Sequence, residues 1–229
     1  MYAGPLAGYG IGMCEQGGYN ILVTHERKHI EPVGIEWPTI GQIIDAQFKD
    51  VNGGLDQTPY LHTWVKMADE SLNSAYHDEG IKSFTPGPAL AIAGPKNCGK
   101  TLLSMILRKL LGGRSAKPYR YMMGQSTFNK ELLGSELLVI DDEISSTDLR
   151  TRRAFGYQIK NMLFAENQSG HGKNKDAFTL YPFWRMLILL NDEPESLLLL
   201  PPLDESIDDK VMLLKSSKNE RSVMANSQQ

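Results

Sequence analysis

The sequence predicts an α/β fold, a mainly parallel central sheet flanked by helices and preceded by a small irregular N-terminal segment. Three observations predict it. A continuous apolar run, ALAIA at 89–93, is followed by GPKNCGKT and then by Leu102, Leu103, Ile106, Leu107 and Leu110 at helical spacing. Two further apolar runs of strand length, 137–140 and 186–190, are separated by a helical stretch at 148–167. Both runs stop at polar residues, Asp141-Asp142-Glu143 and Asn191-Asp192. Strands alternating with helices build parallel sheets covered on both faces.

The elements follow in order. Residues 1–60 are rich in Gly and Pro and read as an irregular accessory segment with a linker, containing one strand at 19–24 and a short helix at 39–48. The stretch VNGGLDQTP at 51–59 is the linker. A helix is predicted over 61–76, with Leu61, Trp64, Val65, Ala68 and Leu72 on one side. Thr85-Pro86-Gly87-Pro88 turns the chain into the first core strand. Downstream, 119–123 (YRYMM) is read as a strand, 168–176 (QSGHGKNKD) as a polar turn, and 211–214 as a last strand. The core unit runs over 61–215 and a flexible tail over 216–229.

Composition narrows the function classes. The chain has 229 residues, 41% hydrophobic and 22% charged, as a soluble globular protein has. A formal charge of -3 exerts no global pull on nucleic acid, so any such contact is a local patch. Two cysteines, Cys14 and Cys98, stand in no metal-ligand spacing, which points to a reducing compartment such as the cytoplasm. No apolar run is long enough to cross a bilayer, and the first residues lack the basic start and apolar stretch of a secretion signal.

The eight residues Gly94, Pro95, Lys96, Asn97, Cys98, Gly99, Lys100 and Thr101 fit G-x-x-x-x-G-K-T, the phosphate-cradling loop, in the context it requires. Loop N–H groups and the positive end of the following helix face an anion. Gly94 and Gly99 allow close backbone approach. Lys100 is expected to reach the β- and γ-phosphates of ATP, and Thr101 to hold Mg²⁺ through its hydroxyl. The acidic strand end LLVIDDE supplies carboxylates: Asp141 for the metal, Asp142 for orienting the attacking water, with Glu143 the alternative. A shift of one residue assigns the metal to Asp142 and the base to Glu143. Asn191, at the end of its strand, can bond both a γ-phosphate and the attacking water without adding charge; a turn or helix cap is the plain alternative. His171, Lys173 and Lys175 form a basic turn suited to phosphate backbone, or simply a solvated loop. Arg152 and Arg153 of LRTRR either reach a neighbouring subunit's nucleotide or lie on a wet helix face.

The order of these parts, GPKNCGKT, LLVIDDE, helix, GHGKNKDAF, MLILLND, resembles the superfamily 3 helicases, AAA+-like P-loop ATPases of viruses, phages and plasmids. More narrowly it is similar to the helicase part of phage and mobile-element primase–helicase proteins, over about 61–215. The resemblance implies a hexameric ring whose basic hairpin carries Lys173 and Lys175 to single-stranded DNA in the channel. It implies Asn191 as sensor, and a primase or replication-initiation protein as partner. That family has an arginine acting across the subunit interface; the comparable segment here, LDESIDDKVMLLK, offers Lys210, a point charge without the planar fork. Arg152 or Arg153 is the other source. The function expected is an ATP-hydrolysing DNA helicase or translocase. The alternatives are an ATP-dependent assembly protein with little hydrolysis and a P-loop small-molecule kinase.

Overall fold

The computed structural model describes residues 2–31, 33–34, 36–49, 53–73, 84–127, 129–141, 143, 147–165, 167–170 and 178–217. Their elements run β1 (Tyr2–Gly4), β2 (Gly12–Gln16), β3 (Tyr19–Val23), α1 (Pro38–Phe48), α2 (Thr58–Leu72), β4 (Ala89–Ala93) and α3 (Lys100–Leu110). They continue with β5 (Ser115–Ala116), α4 (Tyr119–Met122), α5 (Lys130–Leu133), β6 (Leu137–Asp141), α6 (Leu149–Phe164), β7 (Gln168–Gly170), β8 (Phe178–Leu180), β9 (Arg185–Leu190), α7 (Pro194–Leu197) and β10 (Val211–Lys215).

Five strands form the central sheet in the order β10-β4-β9-β6-β5. Every pair in it is parallel. Residues of β4 and β9 are buried throughout, as strands covered on both faces must be. Their side chains sort by the period of two. Ala89, Ala91, Ala93, Met186, Ile188 and Leu190 join one apolar cluster with Phe155, Ile159 and Met162 of α6. Leu90, Ile92, Leu187 and Leu189 join the other, with Phe48 of α1, Leu61 and Trp64 of α2, and Leu103 and Leu107 of α3. In α6, Phe155, Ile159 and Met162 recur at helical spacing, and the helix starts at Asp148, whose carboxylate accepts from the Thr151 amide at 2.8 Å. The Thr151 hydroxyl and amide hold the Asp148 carboxyl below the usual range.

Three expectations change, the first at the polar turn read over 168–176, whose opening residues Gln168–Gly170 form β7 and pair with β8. The stretch 119–123 is not a strand: α4 occupies Tyr119–Met122, and the edge strand is the short β5 before it. Pro118 has helical φ and ψ and caps α4, so the chain turns where the aromatic run looked extended. Met122 then faces the core and Tyr119 packs edge-on against Phe155 at 5.7 Å. The N-terminal stretch is also more regular than its composition implies. Besides the strand expected at 19–24, β1 and β2 complete a three-stranded sheet of order β1-β3-β2. Gly17 and Gly18 join β2 to β3 with φ of 55° and 78°, the two positive angles that a tight hairpin turn needs.

This N-terminal sheet is tied to the core by an ion pair whose carboxylate is buried. Glu136, just before β6, is wholly buried. Arg114 embraces it with two nitrogens, Nε at 3.0 Å from Oε2 and Nη2 on Oε1. The Gly8 amide donates to the same carboxylate at 3.0 Å, and Arg114 also donates to the carbonyls of Leu6 and His25. Beside it, at the same end of the sheet, Arg185 opens β9 and its amide donates to the Glu136 carbonyl at 2.9 Å; its buried guanidinium donates to the Thr85 and Trp184 carbonyls at 3.0 Å each. Burial lowers its guanidinium pKa to about 10. Gly87 leaves room for it, since a Cβ there would lie 3.0 Å from the guanidinium carbon.

No helix among the described residues is long and apolar enough to cross a membrane. The Glu136 clamp yields a prediction. Arg114→Met leaves a carboxylate buried without its counter-ion and is expected to cost about 3–5 kcal/mol. A urea titration checks it; an unchanged midpoint and slope would show that the pair does not hold the N-terminal sheet in place.

Candidate nucleotide site

The phosphate loop springs from the C-terminal end of β4 and is anchored to both neighbouring strands. Gly94 donates its N–H to the Leu190 carbonyl of β9 at 3.1 Å, and Ser216, just past β10, donates to the Ala93 carbonyl at 2.7 Å. Gly94 is required sterically, because a Cβ would fall 2.6 Å from the Ser216 carbonyl oxygen. Asn97 and Gly99 take positive φ, 63° and 98°, which bends the loop back into the start of α3. Lys100 is the first residue of α3, and Thr101, the second, is exposed.

In this loop the Lys100 ammonium donates to the carbonyls of Gly94 and Pro95, 2.7 Å each, and lies 3.6 Å from the Cys98 sulfur. The Ser216 hydroxyl lies 3.4 Å from the same sulfur. The ammonium is therefore folded over the loop's own oxygens, the kind of acceptor that phosphate oxygens would replace. Lys96 points outward to Glu193 at 3.0 Å, both side chains at least half exposed, so the pair steers the loop edge and adds little stability. Ser216, the Leu190 carbonyl and Glu193 are parts of the loop's setting that no local pattern announces. They reach it only because β9 and β10 flank β4.

The acidic strand lies one strand further on. Leu190 of β9 stands in register with Ala93, and Leu189 with Asp141. The ends of β4, β9 and β6 thus fall within one residue of each other, and at about 4.8 Å per strand Asp141 lies roughly 10 Å across the edge from Ala93. Asn191 follows Leu190 directly, half-buried, at the end of the strand between them. Glu143 is half-buried beyond Asp141. Asp142, His171, Lys173 and Lys175 lie outside the described residues. The strands β7 and β8, on either side of 171–177, pair antiparallel, Gly170 with Phe178.

The cations considered for a trans-acting role have distinct settings. Lys210 precedes β10, whose first residue is in register with Ala89, so it sits at the sheet edge opposite the phosphate loop. Its ammonium pairs with Asp209 and lies 4.6 Å above the Phe164 ring. Within one chain it is not brought to the loop. Arg152 donates to the Leu200 carbonyl from Nε at 3.1 Å and Nη2 at 3.0 Å, which ties α6 to the segment after α7. Arg153 is exposed.

Among the described residues no three His, Cys, Asp or Glu side chains gather as a metal site. A metal carried by a nucleotide requires less of the protein, because phosphates and water fill most of its shell. A hydroxyl such as Thr101 and one strand-end carboxylate such as Asp141 suit that hard, oxygen-seeking ion.

The architecture is that of an α/β P-loop fold, a five-stranded parallel sheet flanked by helices. Residues 92–206 match the model of a family of unknown function, DUF5906, and the chain belongs to that family. No curated protein matches it. Among solved structures, the apo structure of the NrS-1 C terminal region is similar with a TM-score of 0.68 at 14% identity, over 97% of this chain and 50% of that one. An A-form apo structure of the same region gives 0.65 at 14% identity, over 96% and 48%. The chain thus spans about half the length of these structures, and at this identity the likeness concerns the fold. A JCV helicase with a bound acetamide compound is more distant, TM-score 0.44 at 14% identity over 72% of this chain and 42% of that one.

The loop geometry predicts the effect of one methyl group. Gly99→Ala forces an alanine into the left-handed region, at roughly 1–2 kcal/mol. It is expected to lower the melting temperature and to weaken binding of a fluorescent ATP analogue. Wild-type values of both would mean that the left-handed turn does not shape the loop.

Proposed function

We propose that this chain is an ATP-hydrolysing nucleic-acid motor, a DNA helicase or translocase of the kind that phages and mobile elements use in replication. The observation that carries the reading is the sheet edge itself, where Lys100, Asn191 and Asp141 follow from three neighbouring strands, β4, β9 and β6. A triphosphate on the loop would draw the Lys100 ammonium from the Gly94 and Pro95 carbonyls to its β- and γ-oxygens. Magnesium bound with ATP offsets charge on those oxygens, and Thr101 and Asp141 are the residues that would hold it. Asp142, or Glu143 if the register is one residue later, orients the attacking water. The Asn191 amide bonds the γ-phosphate and that water.

His171, Lys173 and Lys175 supply the contacts to the DNA backbone, and copies of the chain assemble as a ring around it. Arg153 is the cation proposed to act across the subunit interface, because Arg152 is committed to Leu200 and Lys210 to Phe164 and Asp209. A primase or initiation protein is the proposed partner. A second reading, a nucleotide-dependent assembly protein with little hydrolysis, draws on the same seat of Lys210 away from the loop. Phosphate release with and without single-stranded DNA, alongside the mass of the nucleotide-bound assembly, separates the two. The motor reading expects DNA-stimulated release by an oligomer. ATP binding without release in either condition would overturn it in favour of assembly.

Variants at the site and in the basic turn extend the test. Lys100→Ala removes the ammonium from the developing charge and is expected to lower turnover roughly 100-fold or more; undiminished turnover refutes the loop's role. Asp142→Asn is expected to bind ATP and fail to hydrolyse it, and the same behaviour from Glu143→Gln instead would move the base by one residue. Lys173→Ala with Lys175→Ala should flatten the dependence of log affinity on log salt by about 1.4 for single-stranded DNA. An unchanged slope would make that segment a solvated loop.

A further inference from the structure

The edge strand β5 ends early. Ala116 is in register with Leu138, three residues short of Asp141 on the neighbouring strand. From there the chain passes through Lys117 and Pro118 into α4, and a cavity of about 290 Å³ opens on this flank. Lys117, Arg120, Tyr121, Gln125, Glu131 and Glu143 line it. The hydroxyl of Tyr121 accepts from the Asn129 amide at 3.3 Å, and Asn129 is 1% exposed, so the ring is held from behind by a buried group. Lys117, Arg120, Gln125 and Glu131 are exposed, and Tyr121 is half-buried.

The lining selects its ligand by chemistry. Two fixed cations attract an anion, while two carboxylates disfavour a ligand that is anionic throughout. Carboxylates and a glutamine carbonyl accept from N–H groups, and the Tyr121 ring offers a face for stacking. A ligand with a phosphate at one end and a flat, N–H-bearing ring at the other satisfies all of these. The volume stands at the small end of the range for ligand pockets, roughly 300–1,000 Å³, enough for a unit of one base. A duplex hides its base edges in the stack, whereas a single strand presents them splayed.

We infer that this cavity receives one nucleotide of a single-stranded nucleic acid, its phosphate on Lys117 and Arg120, its base against Tyr121 and its N–H edge toward Glu131. The inference rests on the nucleic-acid reading above and adds to it a contact distinct from Lys173 and Lys175. Because Glu143 lines the same cavity, the bound nucleotide lies beside the acidic strand end and within reach of the groups proposed for hydrolysis.

The test uses the full chain and a fluorescein-labelled single-stranded oligonucleotide carrying 5-iodouracil, followed by anisotropy across salt. Lys117→Ala with Arg120→Ala is expected to weaken binding at least tenfold and to flatten the salt slope by about 1.4. Both side chains are exposed, so the melting temperature should not move. Irradiation of the wild-type complex is expected to leave a cross-link on Tyr121, located by mass spectrometry. Wild-type affinity and slope in the double variant, or cross-links that spare Tyr121, would overturn the cavity's role and leave the motor reading standing. Failure of the wild-type chain to bind the oligonucleotide at all would overturn both.

Discussion

Between β4 and β6 the fold inserts β9, and that parallel pairing governs the rest of the molecule. It brings Leu190 against Ala93 and Leu189 against Asp141, so three strand ends finish within one residue of each other. It supplies the carbonyl that Gly94 grips and sets Asn191 between the loop and the acid. The pairing is stable because both faces of β4 and β9 are covered: toward α6 lie the alanines of β4 with Met186, Ile188 and Leu190 of β9, and toward α1, α2 and α3 lie Leu90, Ile92, Leu187 and Leu189. A slip of one residue in β4 would exchange its faces and seat Leu90 and Ile92 where the core has room for alanines. The loop's geometry and the sheet's packing are therefore one constraint.

A second constraint works from the outer flank. Arg114, Glu136 and Gly8 join three distant stretches of chain around a carboxylate that is wholly buried. The Ala7 amide donates to Leu133 at 2.7 Å, the Phe183 amide donates to Ala7 at 3.0 Å, and Tyr2, Leu6, Ala7, Tyr9, Ile21 and Val23 enter the same apolar cluster as the central strands. A buried, multiply bonded ion pair contributes register more dependably than net stability. Here its place just before β6 positions the strand that carries the acids.

Legibility in the sequence followed the range of the interaction. The loop, its strand and its helix were readable because their signals are contiguous: an apolar run, spaced glycines, then leucines at three and four. The strands at 137–140 and 186–190 were readable for the same reason, each gaining a residue in the structure, Asp141 and Arg185. YRYMM misled because aromatic residues favour strands, while the proline before it set the backbone into a turn. The Gly17-Gly18 pair is a hairpin signal within the glycine-rich start, but the strands that flank it are short and one is polar, so the alternation around it is faint.

Lys210 shows where sequence order stops informing. It follows β9 in the chain, where the family resemblance places a trans-acting cation, yet its contacts with Asp209 and Phe164 hold it at the far edge of the sheet. By itself the sequence determined the phosphate loop, the acidic strand end and the alternation of strands with helices, because each is written in neighbouring residues whose spacing matches a backbone period. Only the tertiary structure decided the strand order, the Ser216 and Leu190 anchors of the loop, the Glu136 clamp and the cavity beside Glu143. Those depend on which distant segments exclude water together, and no local spacing encodes that choice.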